Sequence, residues 1–113
     1  MHELSLAMNM VEQLEGVMKR ENATRLIKIS VEIGALSGVE KEPMEFCFPM
    51  ASKGTILEGA EFHIEEVPLK VTCRECHESS YPDFPGLYCV ACGDFGVDIV
   101  AGRDFKIKTI EVE

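Results

Sequence analysis

The first 18 residues contain neither lysine nor arginine; the first basic side chain is Lys19. A secretory leader needs a basic start followed by an unbroken apolar stretch, and Glu3, Glu12 and Glu15 interrupt this segment. No run approaches the roughly 18 apolar residues of a membrane-spanning helix. The sequence therefore predicts a chain used from Met1 onward, in the cytoplasm. Basic residues are scarce throughout: 11 Lys and Arg stand against 20 Asp and Glu, a formal charge of −9. That balance repels phosphate backbones and anionic headgroups, and it argues against nucleic acid and membrane as partners. There is no internal repeat longer than a pair of C-x-x-C knuckles, no low-complexity tract and no block of like charge. A nucleophile and base placed for catalysis are missing too, which argues against an enzyme.

At 113 residues the chain suits one domain, or one domain with a small insert, and can bury about two thirds of its unfolded surface. Five cysteines are an odd number, and four fall in two C-x-x-C pairs. In a reducing compartment that pattern reads as metal binding, with a disulfide framework as the weaker reading.

Leu4, Ala7, Val11, Leu14 and Met18 recur at the spacing of one helix face, with Met10 and Val17 widening the stripe. This predicts a helix from Ser5 to Glu21. Burying Leu4, Val11, Leu14 and Met18 would contribute a gross ~6–12 kcal/mol, an upper bound because the unfolded chain already hides some area. Residues 25–34, RLIKISVEIG, alternate Ile27, Ile29, Val31 and Ile33 with Lys28, Ser30 and Glu32, the pattern of a half-buried strand. Pro43 suits the first turn of a second helix in which Met44, Cys47, Phe48 and Ala51 share a face, while Pro49 should kink or shorten it. Phe62 and Ile64 begin another strand whose phase changes near Glu66, a bulge or a strand end. DFKIKTIEVE alternates through Phe105 and Ile107, slips once and resumes at Ile110 and Val112. Three strands and two helices predict a small α+β domain.

Val71 to Gly102 has a different character, with prolines, glycines and aromatics but no long periodic run. Its frame is Cys73-x-x-Cys76, twelve intervening residues, then Cys89-x-x-Cys92 with Gly93 after it. Two residues between cysteines let both sulfurs of a tight turn face one ion, and two such knuckles supply four thiolates. Four sulfurs point to zinc, less often iron. A closed four-sulfur shell leaves no position for substrate, so the ion is structural. His77 adjoins Cys76, either as an exposed neighbour or as an occasional replacement for a thiolate. Cys47 reads as a core residue and His63, beside Glu65, as a solvated side chain.

The opening Met1-His2-Glu3 is nitrogen-rich. An α-amine, the amide of residue 2 and the imidazole of the same residue can close two consecutive chelate rings, donors that suit Cu(II) and Ni(II). A carboxylate from Glu3, or one brought from elsewhere, would complete the shell. The alternative is a solvated His2 and an acidic Glu3 at the positive end of the first helix. A cation there opposes the helix dipole, and carboxylates must offset it, which makes Glu3 and Glu40 relevant together.

MHELSL at the start, VEIGALSGVE, the two C-x-x-C pairs and the terminal IEVE together resemble the HypA/HybF family, the nickel-insertion metallochaperones of hydrogenase maturation. The resemblance spans the chain. It implies a nickel site at Met1 (amine), His2 (amide and imidazole) and Glu3, with Glu40 where an acidic loop residue contributes in some members. Others carry aspartate there; Glu40 is one methylene longer. It implies a structural Zn(II) site at Cys73, Cys76, Cys89 and Cys92. It further implies transient Ni(II) delivery, with a partner GTPase, to the precursor of the nickel-iron hydrogenase large subunit, and in some members service to urease maturation proteins. The implied architecture is a discontinuous nickel-binding α+β domain, residues 1–69 plus 102–113, with a zinc-ribbon module at 70–101 inserted. Monomer and homodimer both remain open. A zinc-ribbon protein–protein adaptor without nickel transfer is the competing reading.

Overall fold

The computed structural model describes residues 2–83 and 86–113; Met1, Phe84 and Pro85 lie outside the described residues. The first helix, α1, runs His2–Arg20 and so begins three residues before the expected Ser5. Glu3 explains the early start, because an acidic side chain in the first turn favours the exposed amides and the positive dipole end. Lys19 and Arg20 complement the opposite end. Asn22 then takes φ +56°, and the Ala23 N–H closes on the Met18 carbonyl at 2.8 Å, a left-handed stop of the usual kind.

Strand β1 (Leu26–Gly34) is followed by α2 (Lys41–Ser52) and β2 (Glu61–Val67), which returns parallel to β1. The final strand, β6 (Phe105–Val112), lies antiparallel on the other side of β1, giving the order β2-β1-β6. Both helices cover one face of this sheet. Ala7, Met10, Leu14 and Met18 of α1 and Met44, Cys47 and Phe48 of α2 meet Ile29, Val31 and Ile33 of β1 in one buried cluster. Phe48 stacks on Phe62 with ring centroids 4.4 Å apart, fastening α2 to β2. Pro43 falls in the first turn of α2, where no amide bond is lost. Pro49 sits near the end of α2, and the helix stops at Ser52, whose hydroxyl donates to the Phe48 carbonyl at 2.8 Å. The opposite face of the sheet is charged: Lys108 bridges Glu65 and Glu32, and Lys28 pairs with Glu61.

One expectation for this sheet needs correction. Leu26, 1% exposed, and not Ile27 begins the buried row, because the pairing of β1 with β6 shifts between Leu26 and Lys28. Of the two readings of the phase change near Glu66, the strand end holds: β2 stops at Val67, and the β1–β2 register runs unbroken from Lys28↔Glu61 to Gly34↔Val67. The slip in the last strand is borne out: pairing shifts between Ser30↔Thr109 and Val31↔Ile107, leaving Lys108 over.

The segment that lacks periodicity forms a second antiparallel sheet of short strands, β3 (Lys70–Cys73), β4 (Ser79–Ser80) and β5 (Val97–Ala101), in the order β4-β3-β5. The chain enters it past Pro68 and leaves it through Gly102. At that junction the backbones nearly touch. A Cβ on Gly34 would lie 2.5 Å from the Gly102 carbonyl, and one on Gly102, whose φ is +90°, would lie 2.5 Å from the Pro68 oxygen. Three backbone bonds close the joint: Gly34 N–H to Asp104 O (2.9 Å), Ala35 N–H to Val67 O (3.0 Å) and Leu36 N–H to Gly102 O (2.8 Å). The second sheet stands away from the first, so the chain measures 52 × 28 × 17 Å with a radius of gyration of 17.2 Å, against about 13 Å for a compact fold of this length. Among the described residues, no helix is long and apolar enough to cross a membrane.

Candidate metal centre

Two turns of one design carry the cysteines. In the first, Cys73 N–H donates to Glu78 O (2.9 Å) and His77 N–H to Cys73 O (3.0 Å). In the second, Cys89 N–H donates to Asp94 O and Gly93 N–H to Cys89 O, both at 2.8 Å. Each turn also directs the amide of its second cysteine at the sulfur of its first, Cys76 N to Cys73 Sγ and Cys92 N to Cys89 Sγ, both 3.4 Å. The repeated pattern requires a positive φ just after each pair. Gly93 supplies it at +80° and His77 at +65°. Glycine takes that conformation without steric cost, whereas histidine is strained in it.

All four sulfurs lie within 4.8 Å of one another. The Cys73–Cys92 and Cys76–Cys89 separations across the knuckles are 3.7 and 3.6 Å. Zinc–sulfur bonds of ~2.3 Å in a tetrahedron place sulfurs about 3.8 Å apart, so the donor set fits that ion. Cys73 and Cys89 are buried, while Cys76 and Cys92 reach solvent. The thiols share protons unequally. The Cys92 amide holds Cys89 down to about 7. At Cys92 the Asp94 amide favours the thiolate, but the neighbouring Cys89 sulfur and burial overcome it and push this thiol up to about 12. Cys76 is raised despite the Glu78 amide, through burial and the sulfurs of Cys89 and Cys73. Anions this close cannot all form without a cation between them. His77 is exposed and outside the cluster.

The N-terminal residues lie beside the loop that joins β1 to α2. His2 is exposed, its Nδ1 3.6 Å from Glu3 Oε2. Glu3 is 7% exposed and accepts the Glu40 N–H at 3.2 Å. That amide holds the Glu3 carboxyl below the usual carboxylate range. Glu40 is the residue before α2, extended at φ −102°, with no side-chain cap bond and an exposed side chain. It lines an open cleft of about 600 Å³ with Lys41, Glu42, Pro43, Glu45 and Glu66. The fold thus brings Glu3 and the Glu40 backbone together. The Met1 amine lies outside the described residues. Among those residues, the four cysteines form the one cluster of ligating side chains close enough to hold an ion; a site at the N-terminus depends on backbone donors as well.

Cys47, 2% exposed, belongs to the core between α2 and the sheet. His63 pairs at 3.4 Å with Glu61 on the charged face of the sheet. Sequence reasoning missed the Glu3–Glu40 hydrogen bond itself, which has no local signature because 37 residues separate its partners.

The family model for HypA, hydrogenase/urease nickel incorporation and metallochaperone, matches residues 1–112. Curated relatives include the hydrogenase maturation factor HypA of Chlorobium limicola, 36% identical over 113 residues, covering 100% of this chain and 97% of that protein. The factor of the same name from Geobacter sulfurreducens is 40% identical over 117 residues, covering both chains completely. A solution structure of HypA protein aligns with a TM-score of 0.74 at 21% identity, covering 100% of this chain and 97% of that one. The solution structure of the nickel metallochaperone HypA from Helicobacter pylori aligns at 0.68 with 20% identity, covering 97% and 96%. These two likenesses establish the α+β fold. The family model and the relatives of 36–40% identity, matching along the whole length, carry the further conclusion that the chain belongs to the HypA family of hydrogenase/urease nickel-incorporation metallochaperones.

Proposed function

We propose that this chain binds Ni(II) at its N-terminus, in the cytoplasm, and passes it with a partner GTPase to the precursor of the nickel-iron hydrogenase large subunit, and that it catalyses no covalent chemistry. The donors are the Met1 amine, the His2 amide and imidazole, and a carboxylate from Glu3 or Glu40. Residues 1–69 and 102–113 form the nickel-handling domain, and residues 70–101 form a module that a structural Zn(II) holds through Cys73, Cys76, Cys89 and Cys92. The carrying observation is the 3.2 Å bond from the Glu40 amide to Glu3, which brings the acidic loop to the start of α1. Nearby acids offset the helix dipole, which otherwise disfavours a cation there. Nickel here is cargo, and a site with solvent-exposed donors such as His2 suits release to an acceptor.

Isothermal titration of Ni(II) into tag-free, zinc-loaded protein, beside a version with one residue added before Met1, tests the reading. An extension removes the α-amine from the chelate and leaves every side chain in place. About one nickel bound by the native chain, with most affinity lost on extension, supports it. Equal binding by both, or binding by neither, leaves the zinc-ribbon adaptor as the better account.

A further inference from the structure

Two close sulfur contacts cross from one knuckle to the other, and each pairs an exposed cysteine with a buried one. Cys92 meets Cys73 at 3.7 Å, and Cys76 meets Cys89 at 3.6 Å. Within a knuckle the first sulfur is engaged differently, accepting the amide of the second cysteine: Cys76 N to Cys73 Sγ and Cys92 N to Cys89 Sγ, both 3.4 Å. Resting on the reading of this cluster as a zinc site, we propose that it is also a site of reversible oxidation, at which hydrogen peroxide converts the thiolates into the cross-knuckle disulfides Cys73–Cys92 and Cys76–Cys89 and the ion is released.

Exposure and distance set the order of steps. A closed four-sulfur shell offers peroxide no open coordination position, so attack falls on a sulfur that reaches solvent, Cys92 or Cys76. The Cys92 thiolate attacks peroxide: an S–O bond forms, the O–O bond breaks, hydroxide leaves, and the sulfur becomes a sulfenic acid. The Cys73 thiolate, 3.7 Å away, then attacks that sulfur and expels a second hydroxide. One peroxide thus takes two electrons from two thiolates. A second peroxide acts in the same way at Cys76 and Cys89. Closing each contact to the ~2.05 Å of a disulfide brings the sulfurs together by about 1.6 Å. After the first step the chain keeps only two thiolates, too few for a tetrahedral ion. The backbone meanwhile holds the knuckles in place: the Arg74 N–H donates to Gly96 O at 2.9 Å and the Arg74 guanidinium to Asp98 at 2.6 Å. Cross-knuckle disulfides tie together the same two turns that a shared ion ties, so the β4-β3-β5 sheet outlasts the ion. Disulfides within each knuckle would leave the turns untied.

Peroxide treatment of the zinc-loaded, tag-free full chain tests the proposal, with a chromophoric chelator following zinc release. The product is alkylated and digested without reductant by trypsin and a Glu-specific protease. Cleavage after Arg74, Glu75 and Glu78 puts Cys73, Cys76 and the Cys89–Cys92 pair on three separate peptides, and backbone fragmentation between Cys89 and Cys92 assigns their partners. Zinc should leave as the first disulfide forms, with Cys73 linked to Cys92 and Cys76 to Cys89. Cys47, 2% exposed in the core, should stay unmodified and serves as the internal control. The Arg74 amide should remain protected from hydrogen exchange in the oxidised chain, and a thiol reductant should restore zinc binding. Links of Cys73 to Cys76 or to Cys89 would overturn the proposal, as would oxidation to sulfinic acid without a disulfide, or loss of Arg74 protection. A chain that takes up no zinc would remove the zinc reading instead, and the same mapping on that metal-free chain would still decide the pairing.

Discussion

Replacing Gly34 by alanine should break the joint between the two sheets. Gly34 has an ordinary φ, so the penalty is purely one of space. Its new Cβ would stand 2.5 Å from the carbonyl carbon and oxygen of Gly102 and 2.9 Å from Asp104 O, whereas ordinary contacts begin at 3.4 Å. These neighbours are backbone, with no flexible side chain to give way, and one strand must move by about 0.9 Å. The shift acts directly on the bonds from Gly34 N to Asp104 O, Ala35 N to Val67 O and Leu36 N to Gly102 O. At about 0.5–1.5 kcal/mol net for each hydrogen bond, losing or stretching all three costs ~2–4 kcal/mol. Gly38→Ala is the control. Its φ is +78° but nothing lies within 4 Å of a Cβ there, so it carries only the left-handed strain of about 1–2 kcal/mol. Urea denaturation of zinc-loaded protein measures both, and hydrogen exchange at the Leu36 amide reads the joint itself. Should Gly34→Ala lose no more stability than Gly38→Ala, with Leu36 still protected, the close approach of the two backbones does not hold the sheets together.

Four further outcomes are expected. Because Cys76 and Cys92 both stand above their ordinary range in the metal-free protein, Cys92 at about 12, zinc must displace at least their two protons; its apparent affinity should rise by about two or more decades from pH 7 to pH 8, measured by competition with a chromophoric chelator. His77→Gly should stabilise the metal-free module by up to ~1 kcal/mol by relieving the φ of +65°, and should leave zinc stoichiometry at one by metal analysis, a loss of zinc being the contrary result. Glu3 has its pKa lowered from 4.5 by the Glu40 amide, so its contribution to stability is complete above about pH 5 and disappears as pH falls through its folded value. The gap in melting temperature between wild type and Glu3→Gln should therefore be full at pH 7 and shrink as pH falls below 4.5. Phe48→Ala removes the 1%-exposed ring stacked on Phe62 and should cost ~3–5 kcal/mol by chemical denaturation.

Long amphipathic elements were legible in the sequence because their burial is periodic. The stripe Ala7, Met10, Val11, Leu14 and Met18 is the buried face of α1, and Met44, Cys47 and Phe48 are that of α2. The four-cysteine cluster was legible from spacing alone, since two residues between cysteines leave a tight turn few options. Strands β3, β4 and β5 were not, being four, two and five residues long. Alternation needs several repeats to stand out from chance, and short strands around a metal need less apolar burial than a free-standing sheet. Leu57 shows the same limit. It lies in the turn KGTILEG with no periodic partner, yet it is fully buried. The bulge that places Leu26 inward and Ile27 aside depends on pairing with residues some 80 positions later, and no local window contains it.

The segment from Gly34 to Glu40 joins the features that the sequence presents separately. One end is bonded through Ala35 and Leu36 to Val67 and Gly102, the two points at which the chain enters and leaves the cysteine-bearing sheet. The middle is held by Val39, 9% exposed in the core, and by the Ser37 hydroxyl accepting the Val39 amide at 3.2 Å. The other end is clamped by Glu3. A single short loop therefore touches both the joint of the inserted sheet and the start of α1. Its two ends differ in kind: the joint consists of neutral backbone bonds around the close approach of Gly34 to Gly102, whereas the clamp is one charge-assisted bond on a helix terminus. A rotation of the second sheet about Gly102 would pull on Leu36 first and on Glu40 last, with Val39 as the fixed point between them. Energetic coupling of the four-cysteine cluster to the N-terminus then depends on whether Val39 holds. With Val39 anchored, disruption of the four-cysteine cluster should loosen the joint and spare the N-terminus. Cys76→Ala separates the cases in one nickel titration on protein verified as folded: reduced affinity means that strain passes Val39, and unchanged affinity means that the core absorbs it.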